Sequence, residues 1–176
     1  MTLHENELYK VVVKPHDISI ITKKTKESSQ ITIEDTITTS LIIGEFPVYL
    51  VVGCESGEVL SIDLSSNEQM IITNNQMTSV KCVKEFPSTH PYLVLIIDVN
   101  SSVIVYDLLY SKVVIFSPPL PSPLTSVEYF FPLCILLMSY TDGRNFAWSL
   151  DTGSLLSTLQ YSSPQQRVKS TLVFNQ

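Results

Sequence analysis

The segment Gly143-Arg144-Asn145-Phe146-Ala147-Trp148-Ser149-Leu150 decides the fold, because its pattern occurs twice earlier in the chain. Residues 57–64 read GEVLSIDL, residues 101–108 read SSVIVYDL, and both align with it without a gap. The matching positions lie 44 and 42 residues apart. A period of this length is typical of repeats in which each unit is a four-stranded sheet. The chain is therefore predicted to be a repeat protein built from strands.

Apolar side chains occupy alternate positions of the three segments. These nine residues are Leu60, Ile62, Leu64, Ile104, Tyr106, Leu108, Phe146, Trp148 and Leu150. The positions between them hold a mixture of apolar and polar residues. Because successive side chains of a strand point to opposite faces of a sheet, the pattern predicts strands that bury the same face in every repeat.

Each repeat contains three further segments with the composition of strands. First strands begin at Thr39, Thr78 and Thr125, second strands span 48–53, 92–97 and 134–139, and fourth strands span 69–73, 112–116 and 154–160. The second strands are nearly continuous apolar runs, as expected for strands covered on both faces. Almost no segment shows helical periodicity over the length that a helix needs. The sequence thus predicts an all-β chain of four-stranded antiparallel sheets.

The repeats predict a single domain over residues 1–176 with incomplete repeats at its ends. The predicted units are a partial repeat at 8–35, complete repeats at 39–74, 78–118 and 125–160, and a first-type strand at 167–174. The partial repeat reads as second, third and fourth strands, at Leu8–Val13, Ile18–Thr22 and Gln30–Glu34. The C-terminal strand either completes this first sheet and closes the chain on itself, or begins the next repeat of a larger array. The larger array is favoured, because an open array leaves apolar sheet faces exposed.

Composition and charge exclude some classes of partner. Hydrophobic residues make up 44% of the chain and charged residues 16%, which argues for buried strands and against disorder. The net charge of -6 gives no basic surface for neutralising phosphates, so no nucleic-acid partner is expected. The run Lys23-Lys24-Thr25-Lys26 is followed by Glu27 and is interpreted as a solvated hairpin tip.

The cysteines and the apolar runs favour a cytoplasmic location. Cys54, Cys82 and Cys134 are odd in number, widely spaced and without a C-x-x-C pair, which is typical of reduced thiols. The first residues include early acidic side chains and no apolar core of a secretory signal. The most apolar run, Tyr129–Tyr140, contains a proline and is too short for a helix that crosses a bilayer. No transmembrane segment is expected.

No catalytic or metal-binding pattern is present in the sequence. His4, His16 and His90 are isolated from one another, and no nucleophile–base pair or carboxylate pair stands out. The Asp142-Gly143 pair has the chemistry of a tight turn, in which Asp caps the backbone and Gly accepts a positive φ. The sequence therefore predicts a protein that is not an enzyme and that has no cofactor and no metal.

The run from Met138 to Leu150 resembles the WD repeat of β-propellers. It has a Ser on the second strand, Asp-Gly in the turn, and Trp five residues after the Gly. The structural repeat positions are Ile62, Asp63, Tyr106, Asp107, Ser139, Asp142, Gly143 and Trp148, and the first two repeats depart from the family's pattern by having Ile62 and Tyr106 in place of Trp. The resemblance implies a hydrogen-bonded set that includes Ser139, Asp142 and Trp148, although the chain has no Gly-His pair to complete it.

The resemblance also implies a fold and a class of function. The fold is a β-propeller, or a propeller segment, of four-stranded antiparallel blades. The function is that of a non-catalytic scaffold or adaptor that binds other proteins through its loops. The alternative is a structural subunit that completes a larger propeller or assembly through unpaired strands and blade faces, with self-association.

Several loops are candidates for partner binding. They lie at 74–78, 88–91, 98–102, 117–124 and 140–144. In one of them, Pro118, Pro119, Leu120 and Pro121 favour a polyproline II conformation, which aromatic-lined grooves of other proteins recognise. The alternative interpretation of this segment is a stiff connection between two repeats.

Overall fold

A computed structural model describes residues 1–73, 77–86, 90–130 and 133–160, and every regular element in these ranges is a strand. The strands are β1 Thr2–Glu5, β2 Tyr9–Val13, β3 Asp17–Thr22, β4 Ser28–Thr32, β5 Ile37–Ile43, β6 Tyr49–Cys54, β7 Val59–Asp63, β8 Gln69–Ile71, β9 Val80–Glu85, β10 Leu93–Asp98, β11 Val103–Asp107, β12 Lys112–Ser117, β13 Leu124–Phe130, β14 Ile135–Tyr140, β15 Arg144–Ser149 and β16 Leu155–Gln160. Within these ranges, no helix has the length and apolar character required to cross a bilayer.

The strands form four separate four-stranded antiparallel sheets, each containing four consecutive strands in chain order. We call them the first sheet (β1–β4), second sheet (β5–β8), third sheet (β9–β12) and fourth sheet (β13–β16). The prediction of an all-β chain is confirmed. The predicted strands of the three complete repeats agree with the observed strands to within about two residues at most ends.

The chain divides into two compact units, residues 1–120 and 121–176. The first unit contains the first three sheets, and its core consists of two clusters. One cluster lies between the first and second sheets and includes Val11, Ile18, Leu50 and Ile62. The other lies between the second and third sheets, where residues such as Val51 meet Ile104 and its neighbours. The second unit contains the fourth sheet, in which Leu136 and Met138 are buried.

The nine apolar residues of the third strands occupy equivalent positions in their sheets. Ile62 pairs with Leu50, Tyr106 with Val94, and Trp148 with Leu136. Seven of the nine are buried, and the other two, Phe146 and Trp148, are half-buried. We call the face on which these residues lie the column face of each sheet.

The first sheet corrects the sequence prediction, because it has all four strands. β1 pairs with β2 from Thr2 to Glu5, so the predicted strand Leu8–Val13 is an interior strand and not an unpaired end. β1 was not predicted from the sequence because Thr2-Leu3-His4-Glu5 is short and mostly exposed. Its residues therefore lack the alternation of buried and exposed positions by which strands are recognised. The predicted strand at 167–174 lies outside the described residues, and the position that it would fill if the chain closed on itself is occupied by β1.

The connection from the third to the fourth strand repeats in all four sheets. The residue four positions after the end of the third strand has a left-handed backbone in each of them: Lys26 (φ 63°), Asn67 (60°), Ser111 (49°) and Gly153 (68°). Where this residue is Lys26, Asn67 or Gly153, its N–H donates to the carbonyl of the last third-strand residue at 2.8–2.9 Å. One backbone geometry therefore recurs with four different residues.

The connection from the second to the third strand also has a left-handed residue in three sheets. Gly57 (φ 95°), Ser101 (68°) and Gly143 (84°) occupy the equivalent positions. At Gly57 a Cβ would overlap the carbonyl group of Met77, so both the dihedral angle and the close approach require glycine.

The column face of the first sheet differs from that of the others. At positions where the second sheet has Leu50 and Leu64, the first sheet has Lys10 and Lys23, as the matching registers and backbone hydrogen bonds show. Lys23 forms a salt bridge of 2.7 Å with Glu5. The opposite face of this sheet is apolar and packs on the second sheet. The column face of the first sheet therefore carries charged side chains beside the exposed Leu3 and the half-buried Val12 and Ile21.

Candidate functional site

The residues that end the third strands cap the turns that follow them. Asp63 Oδ1 accepts from the backbone and hydroxyl of Ser65 at 2.7 and 2.6 Å. Asp107 Oδ1 accepts from the backbone N–H groups of Leu109 and Tyr110 at 3.0 and 3.1 Å. Ser149 Oγ accepts from the N–H of Thr152 at 3.2 Å. These positions of the repeat pattern fix turns, as short polar side chains commonly do.

In the second, third and fourth sheets, polar contacts tie the start of the repeat to the turn after its second strand. Asp35 Oδ2 accepts from the N–H of Ser56 at 2.9 Å, and Ser122 Oγ accepts from the N–H of Asp142 at 3.0 Å. In the third sheet, the buried Asp98 accepts from Thr78 through both backbone and hydroxyl, and from the N–H of Ser102. The loops 98–102 and 140–144 are held by these contacts.

The Asp142 carboxylate binds within its own turn. It accepts from Arg144 Nε at 2.7 Å and from the Arg144 N–H at 3.1 Å, and it forms a salt bridge with this guanidinium. The Arg144 side chain holds the pKa of Asp142 below its ordinary value. This is the turn chemistry that the Asp142-Gly143 pair predicts.

The hydrogen-bonded set that the family resemblance implies does not include the Trp148 indole. Trp148 Nε1 is buried and has no hydrogen-bond partner among the described residues. Ser139 contributes its backbone carbonyl, which accepts from the Thr125 hydroxyl at 2.8 Å. Trp148 thus acts through packing, beside Leu136 in the neighbouring strand.

The predicted partner loops differ in how far the structure describes them. In the proline segment, Pro118, Pro119 and Pro121 are exposed and Leu120 is half-buried, without regular secondary structure. The loops 74–78 and 88–91 lie partly outside the described residues.

An exposed apolar turn in the third sheet was not singled out from the sequence. Leu109 is 50% and Tyr110 74% exposed, and Lys112 Nζ lies 5.3 Å from the centre of the Tyr110 ring. The equivalent residues of the second sheet are Ser65 and Ser66. An alignment of the two turns would therefore have shown that Leu109 and Tyr110 replace polar residues. Exposed Tyr and Leu side chains are typical of surfaces that bind proteins.

A groove of about 560 Å³ lies between the first and second sheets. We call it the inter-sheet groove. It is lined by Thr32, Ile33, Glu34, Asp35, Cys54, Ser56, Glu58, Leu60, Gln69 and Ile71. These residues come from β4 and the connection after it, the turn between β6 and β7, and the strands β7 and β8. The groove escaped prediction because its residues meet only when the two sheets pack.

The inter-sheet groove combines acidic and apolar groups. Burial acts to raise the pKa of Asp35, but hydrogen bonds from Ser56 and Thr36 and the nearby His16 outweigh it, so the pKa is lowered. Burial raises the pKa of the Cys54 thiol to about 11, and Asp35 and Glu58 add to the shift. The groove therefore combines an anionic Asp35 carboxylate with a neutral Cys54 thiol at pH 7.

The three histidines of the sequence do not form a shared site in the described part of the chain. His4 Nε2 is hydrogen-bonded to Ser40 Oγ at 2.7 Å, which links β1 to β5, and His16 Nδ1 is hydrogen-bonded to the carbonyl of Asp35 at 3.1 Å. In the described part of the chain, no three His, Cys, Asp or Glu side chains are grouped to hold a metal ion. None of the three cysteines forms a disulfide within the described residues.

The chain is similar in fold to solved structures. No protein-family model and no curated protein matches the chain. Matches among solved structures include the crystal structure of the computationally designed Ika8 protein, with a TM-score of 0.59 and 15% sequence identity. The match covers 92% of this chain and 49% of that chain, so the chain spans about half the length of the designed protein.

Proposed function

We propose that the chain is a non-catalytic scaffold or adaptor that binds other proteins, built as a propeller or propeller segment of WD-repeat type. The observation that carries this proposal is the recurrence of one turn geometry, with left-handed residues at equivalent positions, in all four sheets. Such repeated, capped turns hold loops on a rigid framework, and recognition commonly lies on loops of this kind. Reduced cysteines and the acidic charge favour a cytoplasmic protein.

The neighbours of the first strands support blades around an axis. β1 lies against β5, and β5 lies against β9, so the first strands of the first three sheets are adjacent. The His4–Ser40 hydrogen bond and the hydrogen bond of 2.6 Å from Thr38 Oγ1 to the Val80 carbonyl lie at these junctions. In a propeller the first strands of the blades are the innermost ones and surround the axis.

The exposed turn Leu109–Tyr110 is the proposed contact surface. An exposed aromatic residue beside an aliphatic one offers a large apolar area at low entropic cost when a partner covers it. The turn is anchored by Asp107, so its side chains are presented by a fixed backbone.

Chemical crosslinking of the whole chain in a cell extract, followed by mass spectrometric identification of partners, tests the proposal. Leu109→Ser with Tyr110→Ser is expected to lose a reproducible partner. Leu3→Ser with Leu133→Ser is the matched control, because these leucines are 53% and 52% exposed elsewhere on the chain. Absence of any partner in repeated captures contradicts the scaffold function, and equal loss in both variants contradicts the assigned surface.

A structural subunit of a larger propeller is the second candidate. It is favoured by the match to the Ika8 protein, of which this chain spans about half the length. Because β2 is paired on both sides, such an assembly would use sheet faces or the edge of β1 rather than Leu8–Val13. Sedimentation of the isolated chain discriminates between the candidates: a monomer supports the adaptor, and dimers or larger species support the subunit.

A further inference from the structure

We propose that the inter-sheet groove binds an extended segment of a protein partner in which lysine or arginine side chains flank an apolar one. The inference deepens the proposed scaffold function and rests on it, since it assigns a second contact surface and its partner chemistry. Among the lining residues, Glu34, Asp35 and Glu58 are exposed or half-buried and form an acidic rim, whereas Ile33, Cys54 and Leu60 are buried and form an apolar floor.

The acidic rim has no lysine or arginine among its lining residues, and His16 is the basic group near Asp35. Glu34 is exposed and Glu58 half-buried, and neither forms a salt bridge within the described residues. Asp35 already accepts from two backbone N–H groups, those of Thr36 and Ser56, so its position is fixed. Three carboxylates in a concave site concentrate a negative potential that favours a cationic partner group.

The apolar floor extends to the mouth of the groove. Ile71 is 54% exposed and pairs across the sheet with the buried Leu60, so both lie on the column face of the second sheet. The neutral Cys54 thiol and Ile33 continue this surface inward. An apolar partner side chain placed over Ile71 removes it from water, which stabilises binding by about 25 cal/mol per Å² of buried apolar area.

The shape of the groove favours an extended segment. Its sides are formed by the end of β4 and by β8, which are edge strands of the first and second sheets. Edge strands present unpaired backbone groups that an added strand can satisfy. An extended chain also alternates its side chains, so an apolar one can meet the floor while its basic neighbours meet the rim.

Fluorescence anisotropy with a labelled peptide of alternating Lys and Val tests this inference directly. We expect saturable binding that weakens at high salt, and no binding of the peptide in which Glu replaces each Lys. Glu34→Gln with Glu58→Gln is expected to weaken binding about fivefold or more, as two lost charge pairs would. Ile71→Ser is expected to weaken binding of the Lys-Val peptide at low salt and at high salt alike.

Matched variants separate the groove from the overall negative charge. Glu45→Gln with Glu85→Gln removes the same charge at exposed positions away from the groove, and Val113→Ser removes an exposed apolar side chain of the third sheet. These variants are expected to bind the peptide like the wild type. NMR shifts on peptide addition should map to residues 32–35 and 54–60. Equal weakening in both charge variants, shifts elsewhere, or no binding overturns the inference.

The outcome is distinguishable from failure of the scaffold function. If a captured partner survives both groove variants and is not displaced by the Lys-Val peptide, the scaffold function stands and the groove inference falls. If the groove variants instead dissociate a homodimer in sedimentation, the occupant is a second copy, and the inference of a basic partner segment is wrong.

Discussion

Thr38 and Thr125 occupy the same bulge in the first strands of the second and fourth sheets. Each hydroxyl donates to the carbonyl of the matching second-strand residue, Gly53 at 3.0 Å and Ser139 at 2.8 Å. The third sheet has its bulge at the equivalent position, with Lys81 as the extra residue. The extra residue therefore belongs to the repeat, and it recurs where β-bulges commonly redirect a strand.

This relationship predicts similar costs for the two threonines. Thr125→Val is expected to lower the free energy of unfolding by about 1 kcal/mol, the usual value of one hydrogen bond. Thr38→Val is also expected to cost about 1 kcal/mol, because its one hydroxyl hydrogen is shared between the Gly53 and Val80 carbonyls. Urea denaturation measures both, and a cost of more than about 2 kcal/mol for Thr38→Val would contradict the sharing of one hydrogen.

The indole N–H of Trp148 has no hydrogen-bond partner among the described residues, and two substitutions test the role of this side chain. Trp148→Ala is expected to cost about 3 kcal/mol, because a large side chain is removed from the column face. Trp148→Phe is expected to stay within about 1 kcal/mol of the wild type, since it keeps an aromatic ring and removes a buried N–H that has no acceptor. A loss of more than about 2 kcal/mol in Trp148→Phe would indicate that the N–H is hydrogen-bonded after all.

The left-handed backbone at Lys26 predicts a stabilising glycine. Lys26→Gly is expected to raise the free energy of unfolding by about 0.5 to 1 kcal/mol, because glycine adopts this conformation without the strain of a Cβ. Lys24→Gly is the matched control in the same turn, and it is expected to be neutral or destabilising. Thermal and urea denaturation of the two variants check the difference. A destabilised Lys26→Gly would contradict the assigned φ.

His4 predicts a dependence of stability on pH. Burial lowers its pKa below the ordinary 6.5, so the unfolded chain binds the proton more readily than the folded one. Its contribution is fully present above pH 6.5 and is lost as the pH falls through the lower pKa of the folded state. Between pH 7.5 and 5.5, the wild type is expected to lose more stability than His4→Gln, which has no titrating ring. Parallel losses in denaturation at the two pH values would contradict this.

The Cys54 thiol is expected to resist alkylation. With a pKa of about 11 and no exposed surface, it has little thiolate at pH 7.5. Iodoacetamide is expected to label Cys82 and Cys134, which are half-buried, before Cys54, and addition of urea is expected to remove the difference. Mass spectrometry of timed samples gives the order. Rapid labelling of Cys54 in the folded protein would mean that the floor of the inter-sheet groove is open.

Much of the fold is visible in the sequence, and the candidate sites much less so. The third strands were predictable because buried residues such as Ile62 and Tyr106 recur at one spacing, and strand periodicity records burial. β1 was not, because its side chains are mostly exposed. The capping of its turn by Asp142 was predictable from the neighbouring residues alone. The inter-sheet groove was not predictable, because Glu34 and Ile71 come together only when two sheets pack.

The lysines on the column face of the first sheet restrict what can pack there. Sheets that stack head to tail with an unclosed rotation grow into filaments when both exposed faces accept another copy. A sheet docking on this face would cover Leu3, Val12 and Ile21, but it would have to strip water from Lys10 and break the Lys23–Glu5 salt bridge. Polymerisation through this face is therefore opposed by its own charges.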